Sequence, residues 1–175
     1  MPAFAGRNAL GDPGWRNTRA DCYPDGKGAR WRRRFIGPVR ANRSAVPTTV
    51  TIKATGEETN DSFYLGEGVF EPGFPGPPPH LHHRFHDMFY VLDGTLTMRL
   101  GDETLELEAG SFVCVPPGVV HTFSNKSGAP VRLLNFNTPA GWENYMRDLA
   151  AALASGTPTQ EEIGRIASRY DFEAV

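Results

Sequence analysis

The sequence predicts an all-β fold, a sandwich or barrel of short antiparallel strands, with two helices at its C-terminal end. Three features of the sequence point there. Around ten short strand-like segments, in a chain whose middle third is rich in Val, Thr and Phe, follow one another at the regular turn spacing of such folds. Glycine (19) and proline (15) are frequent for a chain of 175 residues and punctuate those segments. After Pro139 the apolar spacing changes to a helical period.

Taken in order, residues 1–28 are rich in Gly, Pro, Asn and Asp with scattered aromatics, and read as an N-terminal arm ordered where Trp15 and Tyr23 dock. Residues 29–140 are expected to form the barrel. Its entry, Arg30 to Arg34, holds four arginines in five residues, but on a strand they divide between two faces and read as a solvated edge or subunit contact. Thr48 to Ala54 is β-branched and alternating, and Ser62 to Phe70 follows a polar turn. In Glu71 to Pro79 five prolines remove ladder donors, so this stretch forms a stiff loop that delivers His80. Met88 to Leu92, Thr95 to Leu100 and Glu103 to Leu107 are joined by Asp93-Gly94 and Gly101-Asp102, which are hairpin signals. Ser111 to Val115, Val120 to Ser124 and Val131 to Asn137 complete the meander. Residues 141–175 are a helical extension. Trp142, Tyr145, Met146, Leu149 and Leu153 make one apolar stripe, and Gly156 ends that helix. Thr157 is expected to cap the second helix with Pro158 at its first position, leaving Ile163, Ile166 and Tyr170 as its buried face.

A formal net charge of −2 gives no general pull toward nucleic acid or an anionic membrane. The expected partner is a small-molecule substrate, in a cytoplasmic protein with neither nucleic acid nor membrane among its partners. The two cysteines, Cys22 and Cys114, are far apart and in no metal-binding spacing, which suits a reducing compartment. Cys114 reads as a small buried hydrophobe. The first fifteen residues lack the apolar core of an export signal, and no apolar run approaches membrane-spanning length. There is no glycine-rich phosphate cradle, no nucleophile elbow and no zinc-finger spacing.

What chemistry there is lies in two stretches, Gly76 to Gly94 and Gly110 to Asn125. His80 and His82 are two residues apart, so on a strand both imidazoles share a face and can converge on one ion. Asp87 is at an odd offset from His80, so a turn within His83 to His86 must intervene before the carboxylate can face them. Beyond the rigid Pro116-Pro117-Gly118 turn, His121 enters another strand and completes a three-histidine set. Leaving so many rings inside a small barrel without partners would strand buried nitrogens, and imidazoles with a carboxylate suit one divalent metal ion per subunit. Iron, nickel, cobalt, manganese and copper are favoured, and zinc is also compatible. His86 competes with Asp87 for the inward position, since strand neighbours face opposite ways. His83 alternates away from His82 and is expected in solvent. Phe89 and Phe123 share the parity of Asp87 and His121 and are candidate walls of a substrate pocket, with His86 and Met98 beside them. Met98 and Arg99 alternate, so one of the two points inward.

At these residues the chain resembles the cupin superfamily. The second stretch fits the motif G-x5-P-x-G-x2-H-x3-N at Gly110, Pro116, Gly118, His121 and Asn125. The first fits H-x-H-x4-E-x6-G at His80, His82 and Gly94, with Asp87 in the place of the usual glutamate, while the glycine at the motif's front is displaced. The resemblance covers roughly residues 45–140, and the tail is more loosely similar to that of single-domain, quercetin-dioxygenase-like cupins. It implies a cupin jelly-roll barrel, a double-stranded β-helix, with the metal inside and the two helices packed outside. It further implies a dioxygenase acting on a hydroxylated aromatic, flavonol-like or polyketide-like compound, with His80, His82 and His121 as ligands and Asp87 as ligand and base. Two other functions share the fold: a redox-neutral isomerase, cyclase or lyase, and a non-catalytic metal-containing binding protein. A homodimer through edge strands or the arm would cover an exposed sheet edge.

Overall fold

The computed structural model describes residues 48–175. The arm at 1–28, the arginine run and Cys22 lie outside the described residues.

Alternation of β-branched and polar residues puts Thr48–Ala54 (β1) against Tyr64–Phe70 (β2), with a one-turn helix, Gly56–Thr59 (α1), where the sequence suggested only a turn. The proline-rich loop then leads to a two-residue strand, His80–Leu81 (β3). Next come His86–Asp93 (β4), Thr95–Leu100 (β5), Glu103–Glu108 (β6), Phe112–Val115 (β7), His121–Ser124 (β8) and Val131–Thr138 (β9). Trp142–Ser155 (α2) and Gln160–Ala167 (α3) follow, and a last two-residue strand, Glu173–Ala174 (β10), returns to the barrel. The strands form two five-stranded antiparallel sheets, in the orders β1-β2-β9-β4-β7 and β10-β3-β8-β5-β6. The jelly-roll expectation and the two C-terminal helices are therefore both present.

Between the sheets, Phe70, Phe89, Val91, Leu96, Met98, Val115, Val131 and Leu133 form one buried cluster, with Phe74 and Phe123 packed on it. Every member sits on the inward parity of its strand, although alternation by itself left Phe89 and Met98 open between core and pocket wall. Met98 is the inward member of its pair and Arg99 is exposed. A tight approach also shapes this end: Gly76 has φ +82°, and a Cβ there would lie 1.7 Å from the Phe123 carbonyl oxygen, so only glycine fits.

A second cluster, Ile52, Tyr64, Phe85 and Trp142, joins the inner face of β1 and β2 to α2, with Tyr145, Met146, Tyr170 and Phe172 against it. The aromatic stripe of α2 thus closes one end of the barrel. Glu143, buried on that helix, accepts the backbone N–H groups of Gly56 and Gly141, each at 2.8 Å, and ties α2 to α1.

Two local expectations are corrected. The cap of α3 is Thr159, not Thr157: its hydroxyl accepts the Glu162 N–H at 3.2 Å, and Glu162 reaches back to the Thr159 N–H at 2.7 Å. Both threonines have an acid or amide three residues on, and the charged glutamate is the better partner for a helix start. Cys114 is exposed, because β7 is an edge strand whose odd-numbered residues turn inward. No helix among the described residues is long and apolar enough to cross a membrane.

Candidate metal centre

Three strands and one turn bring the site together. His80 on β3 pairs with His121 on β8, and His82 follows on the same face. Residues 83–85 then turn the chain, so that Asp87 enters β4 facing inward and His86 faces out. His80, His82, Asp87 and His121 are all buried, and one ligand atom from each lies within 4.8 Å of all the others. The odd offset of Asp87 is resolved by the turn that the spacing required.

The hydrogen bonds around the rings decide their tautomers. His80 Nδ1 donates to the Pro78 carbonyl at 2.9 Å, His121 Nδ1 to the Val119 carbonyl at 3.0 Å, and His82 Nδ1 to the Asp171 carbonyl. A carbonyl can only accept, so each Nδ1 carries the hydrogen and each neutral ring turns a bare Nε2 lone pair into the site. Asp87 is arranged in the same way. Its Oδ1 accepts from Asn135 Nδ2 at 2.6 Å and Asn137 Nδ2 at 2.9 Å, which leaves Oδ2 toward the rings, 3.2 Å from His121 Nε2 and 3.7 Å from His82 Nε2. At 3.7 Å the His82 nitrogen makes no hydrogen bond to Asp87, and among the described residues it is a buried polar atom without a partner.

A divalent cation is what this donor set fits. Three lone pairs and a carboxylate oxygen converge, an orphaned nitrogen among them, and ligands on opposite sides of an ion at about 2.1 Å stand about 4 Å apart. The electrostatics of His80 and Asp87 agree. Burial, with the neighbouring His121 ring, pushes His80 down to about 4, keeping it neutral. Burial acts on Asp87 in the opposite sense and is outweighed by the adjacent His121 and His82 rings, which hold it ionised at about 2. Burial also lowers His82, but the Asp87 carboxylate and the Asp171 carbonyl outweigh it and leave that ring above its usual value.

The surroundings are aromatic. Phe172 stacks on His80 with centroids 4.3 Å apart and planes 16° apart, and Trp142 meets His82 edge-on at 5.1 Å. Phe85 approaches the same ring at 5.9 Å. On the barrel side, Phe123 packs on Phe89 and Phe70 with centroids 5.2 and 5.4 Å apart.

The sequence-predicted residues therefore divide. The four proposed ligands meet. Phe89 and Met98 are not free pocket walls: they are 1% and 0% exposed inside the barrel cluster, and half-buried Phe123 packs against them. His86 is corrected as well, since strand alternation puts its ring on the exposed face of β4, away from the ligands. His83 is exposed and pairs with Glu173 at 2.8 Å. Asn125 of the second motif is structural: it is fully buried, donates to the Phe70 and Ala129 carbonyls, and accepts from Ser127. Sequence reasoning missed Asn135, Asn137, Trp142, Asp171 and Phe172. Only the asparagines carried a local signal, two amides at i and i+2 on an inward strand face otherwise formed by Val131 and Leu133.

Comparison with known proteins agrees with this fold. Residues 66–137, which contain all four clustered side chains, match the family model described as Cupin domain. That stretch has the double-stranded β-helix fold and contains a buried group able to hold a metal ion. Over 60 residues, 34% of its length, the chain is 28% identical to an uncharacterized protein of Methanocaldococcus jannaschii. The match spans 48% of that protein, so the chain spans about half the length of the curated relative it matches. Among solved structures it is similar to the polyketide cyclase RemF of Streptomyces resistomycificus, with 25% identity over 64% of this chain and 80% of that one, and a TM-score of 0.49. It is also similar to an uncharacterized conserved protein with a double-stranded β-helix domain from Klebsiella pneumoniae, with 17% identity over 58% and 85% and a TM-score of 0.49.

Proposed function

We propose that the chain is a metal-dependent dioxygenase of hydroxylated aromatic small molecules, flavonol-like or polyketide-like. The observation that carries the metal is the convergence of three Nε2 lone pairs, fixed by three main-chain acceptors, on one Asp87 oxygen. A redox-capable divalent ion held by His80, His82, Asp87 and His121 would coordinate a substrate hydroxyl or enolate oxygen and activate dioxygen beside it. The histidines hold their positions without rearrangement, since their tautomers are set by the backbone. Asp87 would serve as a ligand rather than a base: two amides already occupy Oδ1, and Oδ2 faces the rings where the ion would be held, so no oxygen would be left to take a substrate proton. Half-buried Phe172, stacked on His80 in front of buried Phe85 and Trp142, supplies a flat apolar face next to the ligands, which supports an aromatic substrate over a sugar or an anion.

The test is elemental analysis of the purified chain followed by oxygen uptake with hydroxylated aromatics. Near-stoichiometric iron, nickel, cobalt, manganese or copper with oxygen consumption upholds the proposal. Turnover without oxygen uptake, above all with zinc, replaces it by a redox-neutral isomerase, cyclase or lyase, and metal without any turnover replaces it by a binding protein.

A further inference from the structure

The segment after α3 does not trail into solvent; it returns to the ligand histidines and the turn that follows them, and engages this stretch at four points. Asp171 Oδ1 accepts the His83 N–H at 2.8 Å, while Oδ2 accepts the N–H groups of Arg84 and Phe85 at 2.8 and 3.0 Å. One carboxylate therefore ties down the whole turn that separates His82 from Asp87. The carbonyl of the same residue takes the Nδ1 hydrogen of His82. Phe172 lies flat on His80, and β10 pairs with β3 at Glu173↔Leu81 and Ala174↔His80. Among the described residues strand β3 has little else to hold it, being two residues long and meeting β8 at the single pair His80↔His121.

From this geometry we infer that the C-terminal segment Asp171–Ala174 is a strap that completes the metal centre, with Asp171 as the positioning residue that sets both the His82 tautomer and the β3–β4 turn. The inference rests on the four-residue metal reading. Strap docking and metal binding are then linked: an ion that needs His82 Nε2 bare and Asp87 turned inward favours the docked strap, and the docked strap favours the ion. The strap is also the cover of the site on the Phe172 side, so a substrate coming from there displaces Phe172 from His80.

The experiment uses the full chain and zinc or cobalt as the probe, titrated in competition with a chromophoric chelator. Asp171→Ala keeps the main-chain carbonyl that takes the His82 hydrogen but removes the carboxylate that anchors that carbonyl and the 83–85 turn. It is expected to weaken metal affinity about 10-fold, the lower end of what losing a group that orients a ligand costs. Asp171→Asn, which keeps the shape and an acceptor, is expected to recover part of that loss. Tyr170→Phe is the control, because it removes the neighbouring Tyr170–Asp148 hydrogen bond without touching the ligand turn, and its metal affinity should equal that of the parent. A second readout follows the amides of residues 83–85, whose hydrogen exchange should slow on metal binding in the parent and not in Asp171→Ala. Folded Asp171→Ala with parental affinity overturns the proposal, as does equal weakening by Tyr170→Phe. Should Asp171→Ala not fold, unchanged exchange at 83–85 on metal binding in the parent overturns it instead. A parent chain that binds neither probe metal defeats the metal reading, an outcome distinct from the others.

Discussion

The barrel holds two clusters that are built on opposite plans. The interior cluster around Phe70, Phe89, Met98 and Leu133 comes from strands alone and is apolar throughout. The mouth cluster of Ile52, Tyr64, Phe85 and Trp142 draws on strands, a helix and the chain's last residues, and it borders four ionisable ligands. Strand alternation by itself fills the first. Burying imidazoles and a carboxylate in the second needs named partners for every ring, because an unpartnered polar group inside a protein costs about 1–3 kcal/mol. The difference teaches that in this fold the core is specified by parity, whereas the site is specified by hydrogen bonds that arrive from remote parts of the chain.

Substitutions on either side of that divide should behave differently. His121→Ala removes a ligand and one partner of Asp87, and metal affinity should fall by at least about 100-fold, more than loss of an orienting group costs. Chelator competition measures it. Phe89→Ala empties the interior instead. It should cost about 3–5 kcal/mol in denaturant unfolding, while the folded fraction keeps its full metal stoichiometry. A large metal loss in Phe89→Ala would erase the distinction between the clusters.

Asn135→Ala tests the support beneath the carboxylate. Asp87 Oδ1 loses its 2.6 Å donor, and affinity should drop about 10-fold with no more than about 1–3 kcal/mol of destabilisation. The smallest effect is electrostatic. Tyr145 sits in the mouth cluster, where burial pushes its phenol up from 10.0 to about 12. The folded state keeps a proton that the unfolded chain gives up, so this contribution is complete below pH 10 and is lost as the pH rises toward 12. Tyr145→Phe should flatten that alkaline loss of stability in thermal melts at pH 9 to 12, and Phe89→Leu should not.

Much of this architecture was legible in the sequence. Alternation located most of the strands within a residue or two, the helical stripe gave α2, and the His-x-His pair with an odd-offset carboxylate required the turn that the structure contains. Where legibility failed, two local readings competed and long-range packing chose between them. Phe89 and Met98 have the parity of a pocket wall and equally of a core, and the rings around them make them core. His86 and Asp87 were rivals for one inward position, and the pairing of Asp87 with Val115 and Asn137 settled it. Strand β10, two residues at the chain end, carries no pattern long enough to read.

The sequence by itself determined the class of fold, the four residues that meet and the turn between them, because strand parity and turn chemistry are local and each residue's neighbours suffice to set them. Only the tertiary structure decided how those residues are held. Asn135, Asn137 and the Asp171 carbonyl reach the site across 48, 50 and 89 positions of chain, and a contact at such separation exists only once the barrel has closed.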